Sequence, residues 1–459
     1  MKNHKAPKSM RTFLIIWIGQ LISILGSGIT GFGLAVWIYT ETGQATPFAL
    51  TALFSNLPRV LLSPIAGSVA DRYNRKKIMI LADTASALVT LGVAVLVYMD
   101  GLQIWHIYVI STLHSIFGTF QDPAYRASIT MIVPKKDLAR AGGIQQIGGA
   151  TQSIVIPLLA GVLYGLIGLR GVIIIDFVTF FFAIGALMFV AIPQPEIKTG
   201  VVEGEKQSMW RDAVFGWRYL VKLPGLFVLL WYYAAVNFFL NLGGVLSGPL
   251  ILSFSGSESL GAVQTAGGLG MLIGGILMGT WGGPKKRRIW GVILTIFLSG
   301  FGYFLIGLQQ SVWLISVGQF LFLFFIPISA ALSQVVWQTK IPADVQGRVF
   351  AIRSMIAFSI IPLSNLAAGP LADQIFEPLM AEGGALANTF LGELFGVGPG
   401  RGIAVIFGIA AIFLWVLSLV AFAYPRLRNV EQEVPDAIED DEEEEALPID
   451  AQPEPVPGD

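Results

Sequence analysis

The chain has 459 residues, of which 54% are hydrophobic and only 13% charged. Soluble domains carry about a quarter charged residues, so this composition excludes a soluble fold. A formal net charge of −1 hides a split, because residues 425–459 hold 13 acids and two bases while residues 1–424 carry a net charge of +10. The absence of cysteine rules out disulfides and thiolate metal sites.

Apolar stretches long enough to cross a ~30 Å hydrocarbon core recur along the chain. The basic start, MKNHKAPKSM, is followed by an uncharged run from Thr12 to Thr40, too long for a cleaved leader, which reads as the first span. Charge clusters and Gly/Pro turns divide the chain into twelve spans near 12–38, 48–70, 78–99, 103–133, 138–166, 171–192, 224–252, 259–281, 289–308, 312–338, 345–375 and 402–424. Of 29 Lys and Arg residues, 24 fall in loops on one side, and only Arg170 and Arg401 on the other. The positive-inside rule therefore predicts a multi-pass protein of the cell (inner) membrane with both termini cytoplasmic. Within the polar linker 193–223, Trp210, Val214, Trp217 and Val221 recur at helical spacing, which predicts a helix lying on the membrane surface. The acidic, Pro-rich segment 425–459 has the composition of a disordered cytoplasmic tail.

The chain also repeats itself at an offset of 208 residues. Gly67 maps to Gly275, Lys77 to Lys285, Pro134 to Pro342, Arg140 to Arg348, Gly161 to Gly369 and Leu163 to Leu371. The matches fall at corresponding spans, which predicts an all-α polytopic protein of two pseudo-symmetric six-helix bundles, residues 1–192 and 224–424. Repeats of this parallel kind place a substrate site near the midplane, between the bundles.

The turn after the second span reads "GSVADRYNRKK". It resembles the loop signature of the major facilitator superfamily, with Asn74 where the pattern has its second Gly. A left-handed backbone is expected there, which Asn tolerates best among non-Gly residues. The stretch "FQDPAYRASITMIVPKKDLARAGG" is similar to the branch containing macrolide-efflux and enterobactin-exporter proteins. The resemblance implies the major facilitator fold and an inner gate formed by Gly67, Asp71, Arg72, Asn74, Arg75, Lys76 and Lys77. Asp71 would close it against the first turn of span eleven, near Arg348. The second-half copy has Gly279 where Asp71 stands, so a gate acid is confined to the first half.

An ionisable group at mid-bilayer costs roughly 2.5–3.5 kcal/mol on insertion scales. Embedded charges are therefore candidates for function. Arg59 and Asp122 fall at similar depth in spans two and four, Asp122 faces Arg126 at i,i+4 spacing, and the three are expected to form a buried cluster. Proton coupling needs a carboxyl that no cation holds ionised; the candidates are Asp176, Asp122 and Asp83. A polar cavity lining is expected from Gln20 and Ser27, Asn56, Gln145 and Gln152, with Asn237 and Asn241 on span seven.

Together these features suit a secondary transporter that exports an amphipathic organic compound (drug-like, siderophore or lysolipid) by alternating access, against protons. An uptake symporter, or a transport-dead receptor or assembly factor docking through its acidic tail, fits the same composition. Without a Walker loop, HExxH or Cys/His cluster, the chain is expected to be no enzyme and to need no cofactor or metal. Its expected partners are the substrate, protons and the lipid bilayer, with no nucleic acid, and it is expected to be a monomer.

Overall fold

The structure is a computed structural model that describes residues 9–190 and 209–437. Backbone polar groups in a bilayer must be satisfied within the segment, and among the described residues every regular element is helical. The first bundle contains α1 (Met10–Thr42), α2 (Ala45–Arg72), α3 (Arg75–Tyr98), α4 (Ile104–Ile132) and α5 (Leu138–Phe189). The second contains α7 (Pro224–Leu252), α8 (Ser257–Trp281), α9 (Arg288–Leu308), α10 (Val312–Lys340), α11 (Ala343–Pro370) and α14 (Arg401–Ala423). Between the bundles lies α6 (Met209–Val221), and a π-helical turn, Leu371–Phe376, leads from α11 into the short α12 (Glu377–Met380) and α13 (Phe390–Phe395).

Among the described residues, ten helical segments are long and apolar enough to span a membrane. One of them, α5, contains two spans. At ~1.5 Å per residue a straight α5 would run to about 78 Å, and it bends back where Gly168 takes a left-handed backbone (φ 64°). Only glycine enters that conformation without a steric penalty. The more polar α4, with His114, Gln121, Asp122 and Arg126, has 29 residues, a length consistent with the expected twelve spans.

Both described ends of the chain lie at one face, termed the near end. There Ser9 N–H bonds the Ile132 carbonyl, and Ala437 N–H bonds that of Thr339. The opposite face is the far end. The bundles pack mainly through α5 on α8 and α2 on α11. The repeat explains this symmetry. Its glycine pair, Gly161 and Gly369, sits at the two contacts, Gly161 against Ser257 and Gly261 of α8, and Gly369 against Thr46 of α2. Helices in lipid approach closely where side chains are small, so one repeated glycine serves both seams.

The first bundle has two apolar cores. One, around Phe13, Ile16 and Met79, lies near the termini, and the other, around Ile29, Val93 and Ile173, lies toward the far end. Between them runs a polar layer described below.

The segment expected to be disordered from residue 425 is corrected in part. Helices α15 (Pro425–Arg428) and α16 (Val430–Glu433) follow α14, with Leu427 and Val430 fully buried. Lys340 holds this segment. Its Nζ donates to the carbonyls of Glu431 (2.6 Å) and Val434 (2.7 Å) and pairs with Asp436 (2.8 Å). Composition did not reveal this anchor because Lys340 lies 85 or more residues away in sequence. The acidic run beyond, and linker residues 193–208, lie outside the described residues. Hydrogen bonds to charged groups contribute about 1.5–3 kcal/mol each, so Lys340→Met is expected to release 425–437. Limited proteolysis at Arg426 or Arg428 should then be faster than in the parent chain.

Candidate functional site

A cavity of about 410 Å³ opens between α1, α2, α4 and the first arm of α5. Its wall includes Trp17, Gln20, Arg59, Tyr125, Gln145 and Gln152. These residues come from the near halves of their helices, so the cavity lies on the near side of the molecule. Asp122 and Arg126 also line it and form a salt bridge at 3.0 Å, one helical turn apart on α4.

The expected buried three-residue cluster is therefore corrected. Arg59 faces the same space, but the ion pair joins Asp122 and Arg126 alone, and their side chains are 41% and 68% exposed. Exposed pairs contribute about 0–1 kcal/mol. This pair is better placed to meet a ligand than to hold the bundle together.

Behind the cavity wall two carboxylates are buried. Asp83 of α3 accepts hydrogen bonds from Gln20 Nε2 (3.0 Å) and Gln121 Nε2 (2.6 Å), and Gln121 Nε2 also donates to Gln20 Oε1 (3.0 Å). Asp176, on the second arm of α5, accepts from Ser27 Oγ (2.9 Å) and Thr90 Oγ1 (3.3 Å). Neither has an ion-pair partner among the described residues. Gln20 and Ser27 lie seven residues apart on α1, about 10.5 Å, so one helix touches both acids. Gln20 alone also lines the cavity.

The remaining expected lining residues divide. Gln20, Gln145 and Gln152 reach the cavity, whereas Ser27 turns inward to Asp176. Asn56 and Asn241 donate to carbonyls on their own helices, those of Ala52 and Asn237. Asn237 lines a separate pocket of about 80 Å³ in the second bundle, beside Tyr233, Trp337 and Arg353. Gln121, Thr90 and Tyr125 were not anticipated. Gln121 directly precedes Asp122, and on a helix adjacent residues point about 100° apart, which sends one into the bundle and the other into the cavity.

The charged turn after α2 has structural work of its own. Asn74 is not left-handed (φ −64°). Its side chain caps α3 by accepting Lys77 N–H at 3.1 Å, which explains an Asn at that position. Arg75 reaches the Ala127 carbonyl of α4 at 2.8 Å, and Lys76 caps the end of α5 at the Val190 carbonyl, 2.7 Å. A cation at a helix C-terminus also offsets the helix dipole. Gly67 has open space on its Cβ side, and Arg72 and Lys77 are exposed. Asp71 lies in the last turn of α2, and its side chain lies outside the described set. Arg348 stacks over Phe215 of α6 at 5.0 Å, joining the linker helix to the first turns of α11.

The far end is shut. Asp373, in the π-helical turn after α11, accepts the N–H groups of Ala45 (2.9 Å) and Thr46 (2.6 Å), so a carboxylate of one bundle caps a helix of the other. On the opposite seam Ser257 Oγ donates to the Gly161 carbonyl (3.1 Å) and Thr265 Oγ1 to that of Ile154 (3.2 Å). Loss of a side-chain cap costs about 0.5–2 kcal/mol, so Asp373→Ala is expected to favour opening of the far end by roughly two- to thirtyfold. A single reporter cysteine at Gln145 should then become reactive toward reagents applied at that end; unchanged reactivity would remove the clasp from the gating contacts.

Two helical bundles clasped together at the far end, the first of them holding a polar cavity on the near side, define a membrane transporter rather than an enzyme. Residues 16–364 match the model of the Major Facilitator Superfamily, and the chain belongs to that family. Macrolide efflux protein A of Streptococcus pyogenes is 27% identical over 369 residues, covering 79% of this chain and 90% of its own. Multidrug efflux pump Tap of Mycolicibacterium fortuitum is 24% identical over 376 residues, 78% of this chain and 89% of its own. Enterobactin exporter EntS of Salmonella typhi is 24% identical over 156 residues, 34% of this chain and 38% of its own. These relatives bear out the expected branch. The fold is shared with a bacterial homolog of the lysosomal transporter Spinster, solved inward-facing and unoccupied (TM-score 0.62, 16% identity, covering 90% of this chain and 97% of that one). It is shared too with the nucleoside transporter NupG (TM-score 0.60, 11% identity, covering 90% and 100%).

Proposed function

We propose that this protein exports an amphipathic organic compound across the cell membrane by alternating access, against an inward flow of protons, as a monomer. The observation that carries this reading is the cavity: aromatic faces of Trp17 and Tyr125 beside glutamines and a few charges suit a bulky amphiphile better than a compact sugar or ion. Its lining holds two bases, Arg59 and Arg126, against one acid, Asp122, so neutral or anionic compounds should rank above permanent cations. The efflux and exporter activities named for the relatives support the outward direction. The loop bias of Lys and Arg supports cytoplasmic termini, which makes the open near end inward-facing. Closure at that end falls to the charged turn, with Asp71 meeting the first turn of α11 near Arg348.

The test is transport of a panel of cationic, neutral and anionic dyes, together with a macrolide, by proteoliposomes under an imposed proton gradient. Gradient-dependent movement of the neutral or anionic members supports the proposal. Movement indifferent to the gradient would remove the coupling, and accumulation in the direction of proton flow would reassign the protein as a symporter.

A further inference from the structure

At the near end of the second bundle, away from the cavity of the first bundle, two pockets meet. The first, about 660 Å³, is polar, and its bases include Lys285, Lys286, Arg287, Arg288 and Arg428. The second, about 440 Å³, is an apolar groove between α9 and α14, lined by Leu294, Phe297, Leu419 and Phe422 among others. Arg287 and Trp290 belong to both, with the Arg287 guanidinium 4.7 Å above the Trp290 ring.

The acids of the polar pocket are already engaged. Glu431 accepts Ile289 N–H at 3.0 Å, and Asp436 pairs with Lys340 at 2.8 Å. No ion pair is formed by Lys285, Lys286 or Arg288 among the described residues. The groove lies on the lipid-facing surface, where Leu294 and Leu419 are 56% and 59% exposed. Because α9 begins at Arg288, the bases stand at the membrane boundary directly beside the groove.

We propose that this junction binds one anionic phospholipid, with its phosphate-bearing headgroup among Lys285, Lys286 and Arg288 and an acyl chain in the α9–α14 groove. Basic pockets at the membrane boundary recognise anionic headgroups by charge, and each base adds to the attraction. The chain's own acidic run beyond Ala437 matches the bases in charge. It has no aromatic residue to occupy the groove, so a molecule with a charged head and a long apolar chain fits both pockets better.

The test is native mass spectrometry of the full-length protein in neutral detergent, titrated with dioleoyl-phosphatidylglycerol or dioleoyl-phosphatidylcholine, which share acyl chains. The parent should retain the anionic lipid at about tenfold lower concentration. Lys285→Gln/Lys286→Gln, which leaves Arg287 and Arg288 to hold the loop in place, should shrink that preference to about threefold or less. Leu419→Trp, filling the groove from its exposed side, should weaken phosphatidylglycerol retention with every base intact. Millimolar glycerol 3-phosphate should not displace the lipid. The proposal is overturned if the parent has no headgroup preference or if the double variant keeps it. Displacement by glycerol 3-phosphate would make this a soluble-phosphate site instead. A preference emerging only after deletion of residues 438–459 would make the acidic run the occupant.

Discussion

Replacing Gly261 with valine is expected to hold the molecule open at its far end and to reduce transport by more than tenfold. A Cβ at Gly261 would run into the Pro157 carbonyl oxygen and lie 3.1 Å from the Gly161 Cα. Both obstacles are backbone, so no side-chain rotation relieves them and α5 and α8 must separate. Overpacking of this kind costs about 1–3 kcal/mol, a five- to 150-fold shift in the balance between closed and open far ends. Gly261 does not line the cavity of the first bundle, so the effect reads conformation rather than substrate contact. Because the chain has no cysteine, a single reporter at Gln152 gives a clean assay. It should react from the near end in the parent and from the far end in Gly261→Val. Gly185→Val is the control, since a Cβ there meets nothing within 4 Å. Equal reactivity and transport in parent and Gly261→Val would show that the α5–α8 seam is not what shuts the far end.

That seam also marks how far the sequence can be read. The repeat at 208 residues exposed Gly161 and Gly369 as partners, because two copies of one bundle must use the same helix positions to meet. The closing contacts themselves were hidden. Gly261 is one glycine among 52 in the chain, and Asp373 is one acid near a helix end. Only assembly of the two bundles brings Asp373 to the first N–H groups of α2. The succession of long apolar helices and the helical stretch in the linker were legible because lipid imposes length and periodicity on sequence. The pairing of Asp122 with Arg126 followed from helical spacing, whereas the place of Arg59 depended on how α2 tilts against α4. Asn74 misled because its local propensity for left-handed backbone gave way to capping, a second use of the same side chain.

The carboxylate most exposed to this problem is Asp83, and it carries the other large expected effect. Asp83→Asn is expected to abolish proton-gradient-driven transport, by at least tenfold, while sparing exchange of substrate across the membrane without a gradient. Asp122 has Arg126 beside it, so protonating Asp122 would forfeit an ion pair. Asp83 is held by amide donors alone and can exchange a proton without breaking one. It is also the buried acid in contact with the cavity wall, through Gln20. Substrate displacing the Gln20 side chain would alter the hydrogen bonding of Asp83 directly, giving coupling a physical route. Asp176 lacks such a link, since its donor Ser27 is two turns further along α1. Asparagine keeps the volume of Asp83, but its amide can accept from only one of the two glutamines without rearrangement, so a modest loss of stability accompanies the change. Paired assays separate the two effects: gradient-driven accumulation against counterflow, in Asp83→Asn and Asp176→Asn side by side. If Asp176→Asn instead abolishes accumulation and spares counterflow, the coupling acid lies one layer deeper and Gln20 is a packing residue. If both variants keep gradient-driven accumulation, protons are not the driving ion at either carboxylate.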